Sequence, residues 1–260
     1  MKMKRKAEKM KKYIALLLSA LMVLCLFAGC GTQESETSEP PAAESADPVE
    51  TAGAGETEGG YKFGLTTMGE ASFWDAVEEG VLNVMNEGDE LIFVEGEHGN
   101  AAGQVDIIED FIAQGCDLVF FNPVDADAAT SCLNLLEETG IPVINFDSAC
   151  TDMSTVETFC ATDNYAAGAL GACSAITGAG ADVDLYSVNG GPEAKAKMLA
   201  DGEEGVWRAT SAQQPIKMGE TICELAYQYL AGEELESEYL IDAFIISPAN
   251  IEEYAGSDWQ

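Results

Sequence analysis

The chain has 260 residues, of which 46 are acidic and only 12 are basic, giving a formal charge of −34. This balance excludes nucleic-acid binding, because contacts to phosphates need clustered Lys and Arg. Hydrophobic residues make up 47% of the chain and only 8 residues are proline, so a wholly disordered or collagen-like chain is also excluded.

The first 30 residues have the pattern of an export signal. Seven of the 12 basic residues lie within the first twelve positions, and an apolar run from Tyr13 to Ala28 follows them. Cys30, directly after Ala-Gly, resembles the acylated cysteine of a bacterial lipoprotein box, although Phe27 stands where that box usually carries Leu. We expect residues 1–29 to be the signal peptide and Cys30 to be lipidated, with an uncleaved membrane anchor as the alternative. Either interpretation places the rest of the chain on the outer face of the cytoplasmic membrane.

Residues 30–60 are predicted to be the lipidated cysteine followed by a disordered acidic linker. From residue 31 the segment holds eight acidic residues and no basic or aromatic residue. Such a composition buries too little apolar surface to offset the loss of chain entropy on folding. The folded body is therefore expected to begin near residue 61.

The body alternates short apolar runs with amphipathic stretches. The apolar runs are Tyr61–Thr66, Leu91–Val94, Leu118–Phe121, Pro142–Phe146, Thr158–Ala161 and Val183–Val188. Several are apolar throughout, which is typical of strands buried on both faces of a parallel sheet. The first four begin 24 to 30 residues apart, the period of a βα unit. Ligands of such open sheets bind beyond the carboxyl ends of the strands, so the loops there are where function is expected.

The first helix is predicted to follow a capping pattern, Ser72-x-x-Asp75. Its apolar stripe consists of Phe73, Val77, Val81, Val84 and Met85. A position in the core is therefore one interpretation of Phe73, whereas Trp74 lies off the stripe.

The usual signatures of enzymes are missing. The chain has one histidine, His98, and neither a phosphate-binding GxxxxGK[ST] loop nor a GxSxG elbow. We therefore predict that the protein is not an enzyme and binds neither a cofactor nor a metal. The enzymatic alternative is an α/β enzyme with an acidic, metal-assisted site at Asp125, Asp127 and Asp147.

Six cysteines follow the export signal, and none belongs to a CxxC pair. They are Cys116, Cys132, Cys150, Cys160, Cys173 and Cys223. Without accompanying histidines they do not predict a zinc site. Cys150 with Cys160 is the one pair considered for a disulfide.

Six segments, taken in order, resemble a known family. They are YKFGLTTMGEASFWDAVEEG (61–80), FFNPVDADA (120–128), IPVINFDS (141–148), ATDN (161–164), SVNGGPEAKAK (187–197) and ATSAQQPIKMGE (209–220). Behind a lipoprotein signal, this set resembles the sugar-binding, ribose/galactose-like branch of type I periplasmic binding proteins, the solute receptors of ABC importers. The resemblance implies an α/β fold of two Rossmann-like lobes with parallel sheets and the ligand clamped between them. Lobe one would be 61–149 plus 207–232, and lobe two 150–206 plus 233–260.

The resemblance also implies a ligand site. The matching residues are Phe73, Trp74, Asn122, Asp147, Lys197 and Gln213. An aromatic ring packs against the apolar face of a sugar, and we favour Trp74 for this role because it lies off the core stripe. Amide and carboxylate groups would bind the hydroxyls. Lys197 and Ser148 stand where the family usually has Arg, so the implied ligand is a small neutral sugar-like molecule other than ribose.

Part of the family pattern is missing from lobe two. An AND-x-x-A strand end and a G-[FY]-D-G turn do not occur, so roughly three βα units, about 80 residues, are absent. An internal deletion in the gene, an error in sequence assembly and a minimal receptor are the three explanations. We expect the truncated lobe to expose apolar surface and to bind sugar weakly or not at all.

Together these observations predict a lipid-anchored substrate-binding protein that closes on a small sugar and passes it to an ABC permease. Two alternatives remain at this point, a chemosensory or autoinducer receptor on the same fold and the acidic-site enzyme described above.

Overall fold

The computed structural model describes residues 60–178, 184–255 and 258–260. The predicted signal peptide, Cys30 and all but the last residue of the predicted linker lie outside the described residues. Within the described ranges, no helix combines the length and the hydropathy needed to cross a membrane.

Six parallel strands form the first sheet, in the spatial order β2-β1-β3-β4-β5-β8. Numbered along the chain, they are β1 (Lys62–Thr67), β2 (Glu90–Glu95), β3 (Leu118–Phe121), β4 (Val143–Phe146), β5 (Thr158–Thr162) and β8 (Glu238–Ile241). Every residue of the apolar strands β3 and β4 is buried, as expected of central strands covered on both faces. The predicted α/β fold with a parallel sheet is confirmed.

Three strands form the second sheet, in the order β6-β7-β9. They are β6 (Leu185–Asn189), β7 (Trp207–Ala212) and β9 (Phe244–Ile246), with β6 parallel and β9 antiparallel to β7. The domain ranges expected from the sequence do not follow these sheets. Residues 207–212 were expected in lobe one but form the centre of the second sheet. Strands β5 and β8 were expected in lobe two but extend the first sheet.

The second sheet and the segments near it leave apolar side chains exposed, while the loss of further strands stays a prediction. The exposed apolar residues are Leu185 and Val188 on the edge strand β6, with Leu199 and Val206 near it in sequence. The side chains on the described part of this small sheet have too few neighbours to cover them all.

Helices connect the strands. They are α1 (Ser72–Val84), α2 (Ala101–Gln114), α3 (Thr130–Thr139), α4 (Asn164–Gly178), α5 (Pro192–Asp201), α6 (Pro215–Leu230) and α7 (Ile251–Tyr254), with a 3-10 turn at Gly202–Glu204. Asn100 caps α2, its side-chain oxygen accepting a hydrogen bond from the Gly103 N–H at 3.0 Å. The predicted cap of α1 is not formed, because Ser72 is already helical and Ala71, which has no side-chain oxygen, occupies the capping position.

Helices α1 and α6 pack together at two glycines. A Cβ atom on Gly80 would lie 2.0 Å from the Ile216 carbonyl oxygen, and one on Gly219 would lie 1.9 Å from that of Val77. The two backbones therefore approach as closely as they do only because neither position carries a side chain. This contact covers the apolar face of α1 and forms the core on one side of the first sheet.

The five cysteines whose side chains the structure describes are free and buried: Cys116, Cys132, Cys150, Cys160 and Cys223. The disulfide considered between Cys150 and Cys160 is not formed. The reason is that Cys150 packs in the cluster around Phe111 and Leu133, whereas Cys160 packs in the separate cluster around Phe63 and Val77.

Candidate functional site

The carboxyl ends of β1, β3 and β4 bring three predicted site segments to one edge of the first sheet. Phe73 lies in the first turn of α1, which follows β1, while Asn122 and Asp147 come directly after β3 and β4. The strands are parallel and adjacent, so their carboxyl ends share this edge.

The buried side chain of Asn122 connects two of these strand ends through hydrogen bonds. Its side-chain oxygen accepts a hydrogen bond from the Met68 N–H at 2.9 Å, and its side-chain nitrogen donates to the Phe146 carbonyl at 3.1 Å. Its own carbonyl accepts from Gln104 Nε2 at 2.9 Å. The residue is completely buried. Asn122, predicted to bind hydroxyls, therefore lies beneath the site and links the loop after β1 to the end of β4.

Asp147 is half-buried at the carboxyl end of β4 and adopts a left-handed backbone conformation, with φ of 59°. Its N–H donates to the Cys160 carbonyl at 2.9 Å, which fixes the residue against the next strand. Ser148 Oγ donates to the carboxylate at 3.1 Å. Burial raises the pKa of this carboxyl above its ordinary value, an effect that the Ser148 bond partly opposes. A carboxylate held in this way retains acceptor capacity for further hydroxyl donors.

The preference for Trp74 as the stacking residue is wrong. Trp74, favoured as the stacking residue, is only 5% exposed and meets the Phe146 ring edge-on at 6.1 Å. Phe73, also predicted to bind the ligand, is partly exposed and packs against the edge of the core. The helix begins with Ser72 and turns Trp74, Val77 and Val81 inward, so Phe73 is the residue left at the edge of the site.

Gln213, at the end of β7, links the two sheets. Its side-chain oxygen accepts from Thr162 Oγ1 on β5 at 2.9 Å, and its side-chain nitrogen donates to Asn189 Oδ1 on β6 at 2.7 Å. The Gln213 N–H also donates to the Asn189 carbonyl at 3.1 Å. Sequence reasoning missed Asn189, whose signal is its position at a strand end before Gly190-Gly191.

Lys195, rather than the predicted Lys197, faces this region. Lys197 is exposed and pairs with Asp201 at 2.8 Å on its own helix. Lys195 is 2% exposed, its Nζ donates to Gln260 Oε1 at 3.0 Å, and burial lowers its pKa. Residues two apart on a helix do not share a face, so only one of these lysines points inward.

The segment Asp258–Gln260 contributes two further residues that the sequence did not indicate. The Trp259 ring meets the Phe73 ring edge-on at 5.4 Å, and Trp259 Nε1 donates to Ser72 Oγ at 3.3 Å. Gln260 Nε2 donates to the Gln213 carbonyl at 2.9 Å. The segment therefore contacts both α1 and the end of β7.

The loop carboxylates considered for a metal have structural roles. Asp125 Oδ1 accepts from the Asp127 and Ala128 N–H groups, and Asp127 Oδ1 accepts from Thr151 Oγ1 at 2.6 Å. No group of three or more His, Cys, Asp or Glu within the described ranges is arranged to hold a metal ion.

Residues 62–172 match the family model described as the periplasmic binding protein domain. Among solved structures, an ABC transporter solute binding protein from Mycobacterium smegmatis, with bound glycerol, aligns with a TM-score of 0.68 at 18% identity, covering 77% of this chain and 99% of that one. One from Bacillus halodurans, with bound myo-inositol, aligns with a TM-score of 0.60 at 17% identity, covering 77% and 99%. The chain has the type I periplasmic binding protein fold.

A curated relative matches about half of this chain. The ribose import binding protein of Bacillus subtilis is 26% identical over 125 residues, which are 48% of this chain. The match spans 40% of the length of that relative. The matched family segment ends within α4, so the second sheet and the Trp259 segment lie beyond it.

Proposed function

We propose that this type I periplasmic binding protein binds a small neutral sugar between its two sheets. The observation that supports this proposal is the half-buried Asp147 carboxylate, whose neighbour Phe146 connects through the Trp74 ring to the partly exposed Phe73 ring. A carboxylate that accepts hydrogen bonds from hydroxyls and an aromatic ring at the same edge of the sheet form a combination suited to a sugar. The charge of −34 and the buried carboxylate disfavour an anionic ligand.

Closure around the ligand would be controlled at Gln213. This side chain joins Thr162 of the first sheet to Asn189 of the second, so a rotation between the sheets changes its surroundings. A sugar that contacts Asp147 on one side and the Asn189–Lys195 region on the other stabilises the closed arrangement over the open one.

The proposed role is that of the receptor for an ABC importer, lipid-anchored at Cys30 on the outer face of the cytoplasmic membrane. The basic and apolar residues before Cys30 support the anchor. The similarity to a ribose import binding protein and to ABC transporter solute binding proteins supports the importer role and docking on a permease.

Calorimetric titration of the full chain in detergent with D-ribose, D-arabinose, D-galactose, D-tagatose and myo-inositol tests the binding proposal. We expect saturable heat for at least one of them. Asp147→Asn and Phe73→Ala should weaken that binding at least tenfold, since each removes one class of sugar contact. Asp110→Asn, which removes the same charge at an exposed position of α2, is the matched control and should bind normally. Equal affinity of Asp147→Asn and the control would contradict the proposed site.

The anchor is tested separately, by growing cells that express the chain with labelled palmitate. We expect label on the wild-type chain and none on Cys30→Ala, which should also leave the membrane fraction. Label that persists on Cys30→Ala would contradict the anchor.

A further inference from the structure

The segment Asp258–Gln260 lies across the region where the proposed sugar would bind. Trp259 contacts Ser72 and Phe73 at the start of α1, on the side of the first sheet. A Cβ atom on Gly191, which follows β6 of the second sheet, would lie 3.3 Å from the Trp259 ring. The indole is therefore in contact with both sides of the cleft.

Gln260 uses polar groups that a ligand between the sheets would need. Its side-chain oxygen accepts from Lys195 Nζ at 3.0 Å. Its side-chain nitrogen donates to the Gln213 carbonyl at 2.9 Å and to the Gly190 carbonyl at 3.5 Å. One amide thus accepts from a buried cation and donates to two carbonyls, contacts that two neighbouring sugar hydroxyls together could replace.

We infer that Trp259 and Gln260 form an intramolecular competitor, which occupies the cleft in the free protein and is displaced when sugar binds. The inference rests on the proposed function, because it assigns the same cleft to both occupants. The two cannot share it, since Trp259 covers Phe73, and Gln260 already engages Lys195 and the Gln213 carbonyl. The segment then sets the sugar concentration to which the receptor responds.

The size of the effect follows from the fraction of molecules with an open cleft. A competitor tethered to its own site has a local concentration in the millimolar range, so even a weak contact keeps the cleft occupied. If about one molecule in ten is open at any time, removing the segment improves the apparent sugar affinity about tenfold.

The first measurement compares the full chain with a chain that stops at residue 257 and with the double substitution Trp259→Ala, Gln260→Ala. Each is titrated by calorimetry with D-ribose, D-arabinose, D-galactose, D-tagatose and myo-inositol. We expect both variants to bind the preferred sugar about tenfold more tightly than the full chain. Unchanged affinity in both variants overturns the inference, and weaker binding shows instead that the segment is part of the sugar site.

The second measurement needs no sugar. Brief labelling of amines with acetic anhydride, read by mass spectrometry, compares Lys195 with Lys197 in the same molecule. Lys195 is covered by Gln260 in the full chain, whereas Lys197 is exposed. We expect removal of the segment to accelerate labelling of Lys195 and to leave that of Lys197 unchanged. Equal Lys195 labelling in the two chains overturns the inference.

The two measurements separate the inference from the proposed function. If no sugar binds to any of the three chains, the proposed function fails, and the inferred competition for sugar fails with it. Faster labelling of Lys195 in that case would show that the segment covers the cleft without competing for sugar. If sugar binds the full chain and both variants equally, the proposed function stands and the competitor is rejected.

Discussion

The contact between α1 and α6 gives a sharp test of the packing. Replacing Gly219 by Ala would place a Cβ atom 1.9 Å from the Val77 carbonyl oxygen and 2.8 Å from the Val81 nitrogen. Both are backbone atoms that cannot rotate away, so the helices must separate by about 1 Å, and the buried Met218 and Ile222 move with them. Overpacking of this kind costs up to about 3 kcal/mol. The higher helix propensity of Ala returns about 1 kcal/mol.

Gly168→Ala is the matched control, because Gly168 is also inside a helix but has nothing within 4 Å of an added Cβ atom. At that position only the higher helix propensity of Ala matters, and it should raise the free energy of unfolding by about 1 kcal/mol. The free energies of unfolding of the two variants, measured in urea, should therefore differ by about 3 kcal/mol, with Gly219→Ala less stable than the wild type. If Gly219→Ala were stabilised as much as Gly168→Ala, the close approach of the helices would be wrong.

Four further outcomes are expected. Trp74→Ala should lower the free energy of unfolding in urea by about 3–5 kcal/mol because it empties a buried site, while Phe73→Ala should lower it far less. Similar losses would contradict the difference in burial between the two rings. Asn122→Ala should lower stability by about 1–3 kcal/mol, since it leaves the Met68 N–H without its partner; no loss would show that the Asn122 bonds contribute little. Because the pKa of Asp147 is raised in the folded protein, the stability of the wild type falls as pH rises through that pKa. Asp147→Asn should therefore stabilise the protein at neutral pH, and this gain should vanish below the ordinary pKa range of aspartate. A difference in stability that does not change with pH would contradict the raised pKa. Burial raises the pKa of the Cys150, Cys160 and Cys223 thiols to about 12, so they should react with iodoacetamide only after unfolding, and rapid labelling of the native chain would contradict their burial.

The first sheet could be predicted because its signals are local. Strands such as Leu118–Phe121 are apolar throughout and recur at the spacing of βα units, and the structure has them as expected. The edge on which Asn122 and Asp147 lie follows from the same parallel order. The pattern could not predict how far each side chain is buried. Asn122 and Asp147 both follow the ends of strands, but only Asp147 remains partly exposed to solvent.

The errors arose where a long-range contact decides the outcome. Phe73 and Trp74 are consecutive on α1, and their burial depends on the angle at which α6, more than 130 residues later, crosses that helix. Lys195 and Lys197 differ only in which side of α5 faces the second sheet. The strand at 207–212 was assigned to the wrong sheet because the chain crosses between sheets after it rather than before it.

The position of α6 also has a consequence for how the protein is made. Residues of α6 such as Met218, Ile222 and Leu225 complete the core that begins with Phe63 and Val77. A ribosome that has released only residues 62–172 has therefore produced a segment whose α1 face is still uncovered, and this segment is not expected to fold by itself. The core of the first sheet is therefore completed only after β6 and β7 of the second sheet have been synthesised, because α6 and β8 follow them in the chain.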